Sequence, residues 1–293
     1  MKPAREDKAQ LRRLWRILIV YGFGFVVFWF GLFQMNIILG PDVSQNIRHF
    51  TGGIVLSVLS VILVWSARRF MDHRPWAGLQ LSRPSIGWRA LLLGMASFYV
   101  PAGIALAVCV AVGWTELTLH VSFGELLVVA AILLIFAFLY EAFPEELIFR
   151  GYIYRNLSAM SARWVALIVQ AILFAFWVSA MRMIGGVSLS VAAEEFVLFF
   201  SFAVALGVFR VVTRDVWASI GLHLGYITFH QLEGPRWEVV TASYSDVVYL
   251  LAYQVVPFLI ALLLLLAIYH DRVNWRDREP DHPQQTGQES RAA

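Results

Sequence analysis

Long apolar runs alternate with short polar connections along the chain, and the alternation predicts helices that cross a bilayer. The runs fall at about residues 17–39, 52–65, 89–112, 123–140, 164–183, 189–212, 215–232 and 247–269. Most approach the roughly 20 residues a helix needs to span the hydrocarbon core. The seventh is weaker and carries His223 and His230. The first run is too long for the apolar part of a signal peptide and no small-x-small pattern follows it, so a retained helix is expected. Helix breakers sit between runs: Pro75 and Pro84 in a linker at 67–88 with Arg68, Arg69, Arg74 and Arg83, and Gly234 and Pro235 in a loop with Arg236 and Asp246. A shorter loop holds Trp114, Glu116 and His120, and Arg150, Arg155 and Arg163 mark a polar connection ahead of the fifth run. The pattern predicts an all-α polytopic membrane protein of about eight transmembrane helices. It divides into a basic tail at 1–16, N-terminal helices at 17–75, a transmembrane core at 76–269 and a polar tail at 270–293. That tail, with Pro280, Pro283, Gln284 and Gln285, is expected to be disordered.

Composition agrees. The chain is 59% hydrophobic and 15% charged, with mean hydropathy +0.68, whereas soluble domains carry about 25% charged residues. A net charge of +3 and a pI near 9.1 invite nucleic acid as a partner. The distribution of the charge points to membrane lipid instead. With eight spans, twenty Lys and Arg fall on the side of the two termini and only Arg48, Arg182 and Arg236 on the other. Such a bias orients a plasma-membrane protein with both termini in the cytoplasm. The single cysteine, Cys109, lies in an apolar run and is read as a small core or lipid-facing residue rather than a nucleophile. No inverted repeat of the transporter kind is evident.

One stretch breaks the apolar pattern: Glu141–Arg155, EAFPEELIFRGYIYR. An ionised side chain at mid-bilayer costs roughly 2.5–3.5 kcal/mol on insertion scales, so such groups are partnered, wet or functional. On a helix Glu141 stacks over Glu145, and Glu146 over Arg150. Glu145 and Glu146 lie about 100° apart, so one can face a cavity while the other pairs with the arginine. Pro144 removes a backbone donor just before the pair and is expected to kink the helix. An interfacial ion pair is one account of the pattern. The other is a carboxylate that activates water beside an arginine that orients its neighbour. No G-x-S-x-G, G-x-x-x-x-G-K-[ST] or H-E-x-x-H occurs, so serine-hydrolase, P-loop and zincin readings lack support.

The run from Glu145 to Leu157 resembles the first motif of the CPBP family of intramembrane proteases, which includes type II CAAX prenyl endopeptidases and Abi-type bacteriocin-immunity proteins. The upstream WAGLQLSRPSIGWRALLLG, residues 76–94, is similar to the stretch before that family's core, so the resemblance covers about residues 76–232. It implies an eight-span helical protein with its site inside the membrane near the cytoplasmic face. There a glutamate activates water that attacks the peptide bond of a membrane-anchored or lipidated peptide, helped by histidines on two later helices. Carried over by position, Glu145 is the water-activating glutamate, Glu146 the second motif glutamate and Arg150 the motif arginine. His223 matches the histidine of the third motif, but Ile227 stands where an asparagine is expected. Phe174 matches the second motif, but Val178 stands where its histidine is expected.

Those departures matter, because removing one oxyanion donor typically costs about 10²–10³ in rate. The sequence requires no cofactor and leaves room for a divalent metal. Glu145 and His223 alone fall short of the three protein ligands of catalytic zinc. His230, two turns beyond His223, and Ser179, beside Val178, are the nearby groups that would compensate. Otherwise His230 and Gln231 are structural, the pair Glu194 and Glu195 interfacial, and Tyr140, Trp177 and Trp217 packing residues. Three functions stay open: an intramembrane endopeptidase; a catalytically lapsed relative that binds a membrane partner or confers bacteriocin immunity; and a small transporter using Glu141, Glu145, Arg150 and His223 as a relay.

Overall fold

The structure is a computed structural model describing residues 3–233, 237, 239–269, 273–279 and 281. Eight helical segments follow one another: α1 (Gln10–Leu39), α2 (Gln45–Asp72), α3 (Pro84–Ala111), α4 (Phe123–Ser158), α5 (Arg163–Ile184), α6 (Leu189–Thr213), α7 (Val216–Gln231) and α8 (Asp246–Tyr269). All but α7 are long and apolar enough to cross a membrane, α3 together with the turn Trp76–Leu79 before it. The expected all-α multi-pass membrane protein is therefore observed. At 16 residues α7 is about 24 Å long, and nearly all of it is buried among its neighbours.

Helix starts follow local chemistry. Side-chain oxygens of Ser44, Ser122, Ser188 and Asp215 accept from backbone N–H groups of Ile47, Glu125, Val191 and Trp217, capping α2, α4, α6 and α7. Glu125 reaches back to Ser122 and completes a capping box. Two short strands, β1 (Glu116–Leu119) and β2 (Val240–Ser243), pair antiparallel with Glu116 opposite Ser243. They tie the α3–α4 loop to the α7–α8 loop at the end of the molecule opposite the arginines. Gly234, Pro235 and Arg236 of the latter loop lie outside the described residues.

The fourth run does not stop at residue 140. α4 continues unbroken to Ser158 through wide, π-type turns at Phe138–Ala142 and Leu147–Ile153, which flank Pro144. Such turns change the helix phase and absorb the missing proline donor. Arg150 and Arg155, expected in a polar connection, are instead buried within this helix. Both charges find partners inside the protein, so neither needs water.

Closeness of α3 and α7 rests on glycine. A Cβ on Gly94 would strike the Ala218 carbonyl, and one on Gly221 the Leu91 carbonyl. A Cβ on Gly87 would strike the Trp217 indole. Small residues of this kind let membrane helices approach to backbone contact.

The C-terminal segment corrects another expectation. Residues 273–279 and 281 are docked against the arginine-rich end rather than free. Arg163 N–H donates to the Asp277 carbonyl and Glu279 N–H to the Ser158 carbonyl. Glu279 takes Arg210 at 3.0 Å and also Arg155, while Asp281 takes Arg68 at 2.7 Å. Buried arginines on α2, α4 and α6 need carboxylates, and the tail supplies them. His270, Pro280, Pro283, Gln284 and Gln285 lie outside the described residues, as do Lys2, Arg272 and Arg291.

Candidate active site

Glu145 and Glu146 occupy the short regular stretch between the two wide turns of α4, and their side chains diverge. Glu146 is fully buried. Its Oε1 accepts from Arg150 Nη1 at 3.0 Å and lies 3.0 Å from His223 Nδ1. Arg150 is also fully buried; its Nη2 donates to the Ala203 carbonyl at 3.2 Å, and its guanidinium lies 4.5 Å from the centre of the Phe174 ring. Gln170 donates to the same Ala203 carbonyl at 3.2 Å. One helix pair, α5 and α6, thus fixes the arginine, the arginine fixes Glu146, and Glu146 fixes the imidazole.

That chain of contacts sets the histidine tautomer. A carboxylate held by an arginine accepts, so His223 donates through Nδ1 and presents Nε2 to the other side. There Glu145 Oε2 stands 3.9 Å away. The gap is too long for a direct hydrogen bond and suits a bridging water. Glu145 makes no hydrogen bond among the described residues, and only 8% of its surface is exposed.

Glu145 and His223 share a cavity of about 90 Å³ with Glu141, Phe174, Val178, Phe199, Phe202, Tyr226 and Ile227. One water needs roughly 10–15 Å³ of such volume, so several fit. A larger cavity of about 330 Å³ runs from Glu141, Glu145 and Val178 past Phe28, Leu32 and Phe199 to Arg182. A third, of about 240 Å³, joins Glu141 to His49, Gln231 and Trp237. All three share Glu141, which has no hydrogen-bond or ion-pair partner among the described residues. The open space therefore extends from the glutamates toward the arginine-poor end. Toward the arginine-rich end, every residue from Pro144 to Ser158 is buried.

The residues singled out in the sequence, Glu145, Glu146, Arg150 and His223, come together. Val178 and Ile227 line the same small cavity, so the positions are right and the side chains offer no donor. Neither suggested substitute reaches them. Ser179 points to the Ala192 carbonyl at 3.5 Å. His230 lies within reach of Tyr249 and Gln254 among aromatic rings and lines none of these cavities. Among the described residues no group of three or more His, Cys, Asp or Glu is placed to hold a metal ion. The donor set does not fit a three-ligand zinc site.

Some site residues were not anticipated. Tyr226 lines the cavity one turn beyond His223, a spacing that could have flagged it; its hydroxyl is engaged by Gln254. The Ala203 carbonyl, a backbone group 53 residues from Arg150, has no sequence signal. Glu195, read from the sequence as interfacial, pairs with Arg182 at 2.6 Å.

Residues 127–229 match the family model of type II CAAX prenyl endopeptidases, Rce1-like. The match takes in most of α4, all of α5 and α6, and most of α7, hence every residue of the glutamate site. It supports the CPBP resemblance and the fold of a CAAX-type intramembrane protease. No curated protein matches the chain, and neither does any solved structure.

Proposed function

We propose that this CPBP-family chain is an intramembrane endopeptidase that cleaves a membrane-anchored or lipidated peptide with water activated by Glu145. One observation carries the proposal: a carboxylate without a hydrogen bond among the described residues stands 3.9 Å from an oriented imidazole, both on the wall of a cavity with room for water. In this scheme Glu145 takes a proton from the water as it attacks the peptide carbonyl. His223 handles the proton passing to the leaving amine. Glu146 and Arg150 hold the histidine and do not touch the substrate.

The protein sits in the plasma membrane with the arginine-rich end, and both termini, in the cytoplasm. Glu145 lies closer along α4 to Ser158 than to Phe123, which supports a site in the cytoplasmic half. The peptide approaches through the cavity between Phe28 and Leu32 of α1 and Phe199 of α6, since the direct route from the arginine-rich end is filled.

The test is cleavage of a panel of lipidated and membrane-spanning peptides by purified protein beside Glu145→Gln. Loss of at least 10² in kcat/KM with unchanged Tm is expected, in line with removal of a general base. Unchanged cleavage in the variant would sink the assignment. Val178 and Ile227 on the cavity wall favour a second scheme, a lapsed protease that binds a membrane partner or confers bacteriocin immunity. Cleavage absent from the wild type but gained by Val178→His would establish that scheme instead.

A further inference from the structure

A second built cavity lies apart from the glutamates, at the arginine-rich end of α2. It measures about 320 Å³ and is lined by Trp65, Arg68, Arg69, His73, Arg74, Pro75 and Trp76. Local structure makes it. The last turn of α2, Ala67–Asp72, is a wide π-type turn, and the chain then reverses at His73, whose φ of 53° is left-handed. Arg74 N–H closes the reversal on the Arg68 carbonyl at 3.0 Å. Arg69, His73 and Arg74 are thereby gathered around one space.

The acids nearby are already committed. Asp72 receives Arg68 at 3.5 Å, Arg16 at 3.4 Å and the Tyr152 hydroxyl at 3.3 Å. Asp281 receives Arg68 and Arg155. Arg69, His73 and Arg74 have no acidic partner among the described residues. Arg68, a wall residue only 1% exposed, keeps its Nε without a hydrogen-bond partner. Positive charge therefore exceeds negative around a walled space, whereas a solvated basic face has no walls. Trp65 and Phe70 stand beside it, both exposed and edge-to-face at 5.8 Å, on the lipid-facing surface of α2.

We propose that this cavity binds a phosphate-bearing anion. Guanidinium groups match phosphate oxygens bidentately, and arginine is the side chain suited to that fork. The indoles mark the level where headgroups lie, and acidic lipids of the cytoplasmic leaflet attract basic groups close to the surface. The phosphate is carried by an acidic phospholipid, with acyl chains along Trp65 and Phe70, or is free in solution.

Delipidated full-length protein in detergent would be titrated with phosphatidylglycerol, with phosphatidylcholine and, separately, with inorganic phosphate. Bound lipid is read by native mass spectrometry, and phosphate by its displacement of that lipid and by Tm. Binding of phosphatidylglycerol at least tenfold tighter than phosphatidylcholine, weakened at least tenfold in Arg69→Ala/Arg74→Ala, identifies the lipid headgroup. Stabilisation or displacement by millimolar phosphate, lost in the same variant, identifies free phosphate. Arg69→Lys/Arg74→Lys retains the charge and falls between. Equal lipid binding by wild type and the alanine variant, with no effect of phosphate, overturns the proposal. Arg69 is exposed and Arg74 half-buried, so the double variant is expected to fold.

Discussion

Beyond the midpoint of α4, Glu145, Glu146 and Arg150 lie buried in an apolar interior. Little more than a turn further on, Arg155 lies buried with Arg210 and Arg68 against Glu279 and Asp281. Both clusters place charged side chains among buried neighbours, yet they differ in one respect. At the arginine-rich end each carboxylate is held by at least two arginines. At mid-helix Glu146 is held by Arg150 and His223, but Glu145 beside it makes no hydrogen bond among the described residues and faces open volume. Buried charge alone therefore does not mark a functional site; an uncommitted carboxylate on a cavity wall, next to committed neighbours, does. At the arginine-rich end charge joins chain segments distant in sequence. At mid-helix it aims an imidazole.

The largest expected effect breaks the aiming device. Arg150→Met keeps the volume of the side chain and leaves Glu146 buried with His223 alone. Removing one partner of a buried pair costs about 3–5 kcal/mol, read as a lower denaturant midpoint in detergent. A cost below about 1 kcal/mol would mean that water reaches Glu146, and the two clusters would no longer differ in kind.

A change that touches no charge comes next. Gly221→Val drives a branched side chain into the Leu91 carbonyl of α3 and shifts α7, which carries His223 two residues later. Overpacking of this sort costs about 1–3 kcal/mol, and cleavage is expected to fall with it. Gly22→Ala is the control, because a Cβ there meets nothing within 4 Å. Equal behaviour of the two variants would show that glycine contacts do not place the histidine.

Much of the mid-helix cluster was legible because its contacts are local or carried by a motif. The i,i+4 pair of Glu146 and Arg150 can be read from spacing, and His223, Val178 and Ile227 from the family pattern. What escaped depends on distant partners. Arg150 and Arg155 read as a polar connection because nothing near them in sequence shows that the Ala203 carbonyl and Glu279 await them. The C-terminal segment is polar and proline-flanked, which is the composition of a free tail; its two anchoring carboxylates look like any other surface acids. The strands β1 and β2 are four residues each and pair across more than 100 residues, too short and too far apart for a periodicity to show.

The arginine-rich cluster has its own test, with a sign fixed by charge. Burial pushes the Glu279 carboxyl up, but Arg210, Arg155 and Arg163 outweigh it and hold the group below its usual 4.5. Asp281 behaves alike: burial raises it, and Arg68 and Arg155 bring it below 3.8. A carboxylate depressed in the folded state stabilises fully above its unfolded value and loses that contribution as pH falls through the folded one. Docking of residues 273–279 is therefore expected to hold at neutral pH and to weaken on acidification below about 4.5. Hydrogen exchange in that segment follows it. Glu279→Gln should cost about 2 kcal/mol, between the values for exposed and fully buried pairs, and should flatten the acid dependence. An acid response unchanged in the variant would assign it to other groups.

The smallest effect is expected at a bidentate arginine pair on the cavity system's rim, Arg182 with Glu195. Both nitrogens lie 2.6 Å from carboxylate oxygens, a geometry as good as any in the buried clusters. Yet the two side chains are 41% and 26% exposed, so water competes for both. Exposed pairs contribute about 0–1 kcal/mol, and Arg182→Ala is expected to lower stability by no more than that, less still in high salt. Because Arg182 also lines the cavity that reaches Glu145, the same variant separates two roles. A change in KM without a change in Tm or kcat would place the guanidinium in the path of the peptide. A stability loss of 3 kcal/mol would contradict the distinction drawn from burial, since ideal geometry would then have outweighed solvent.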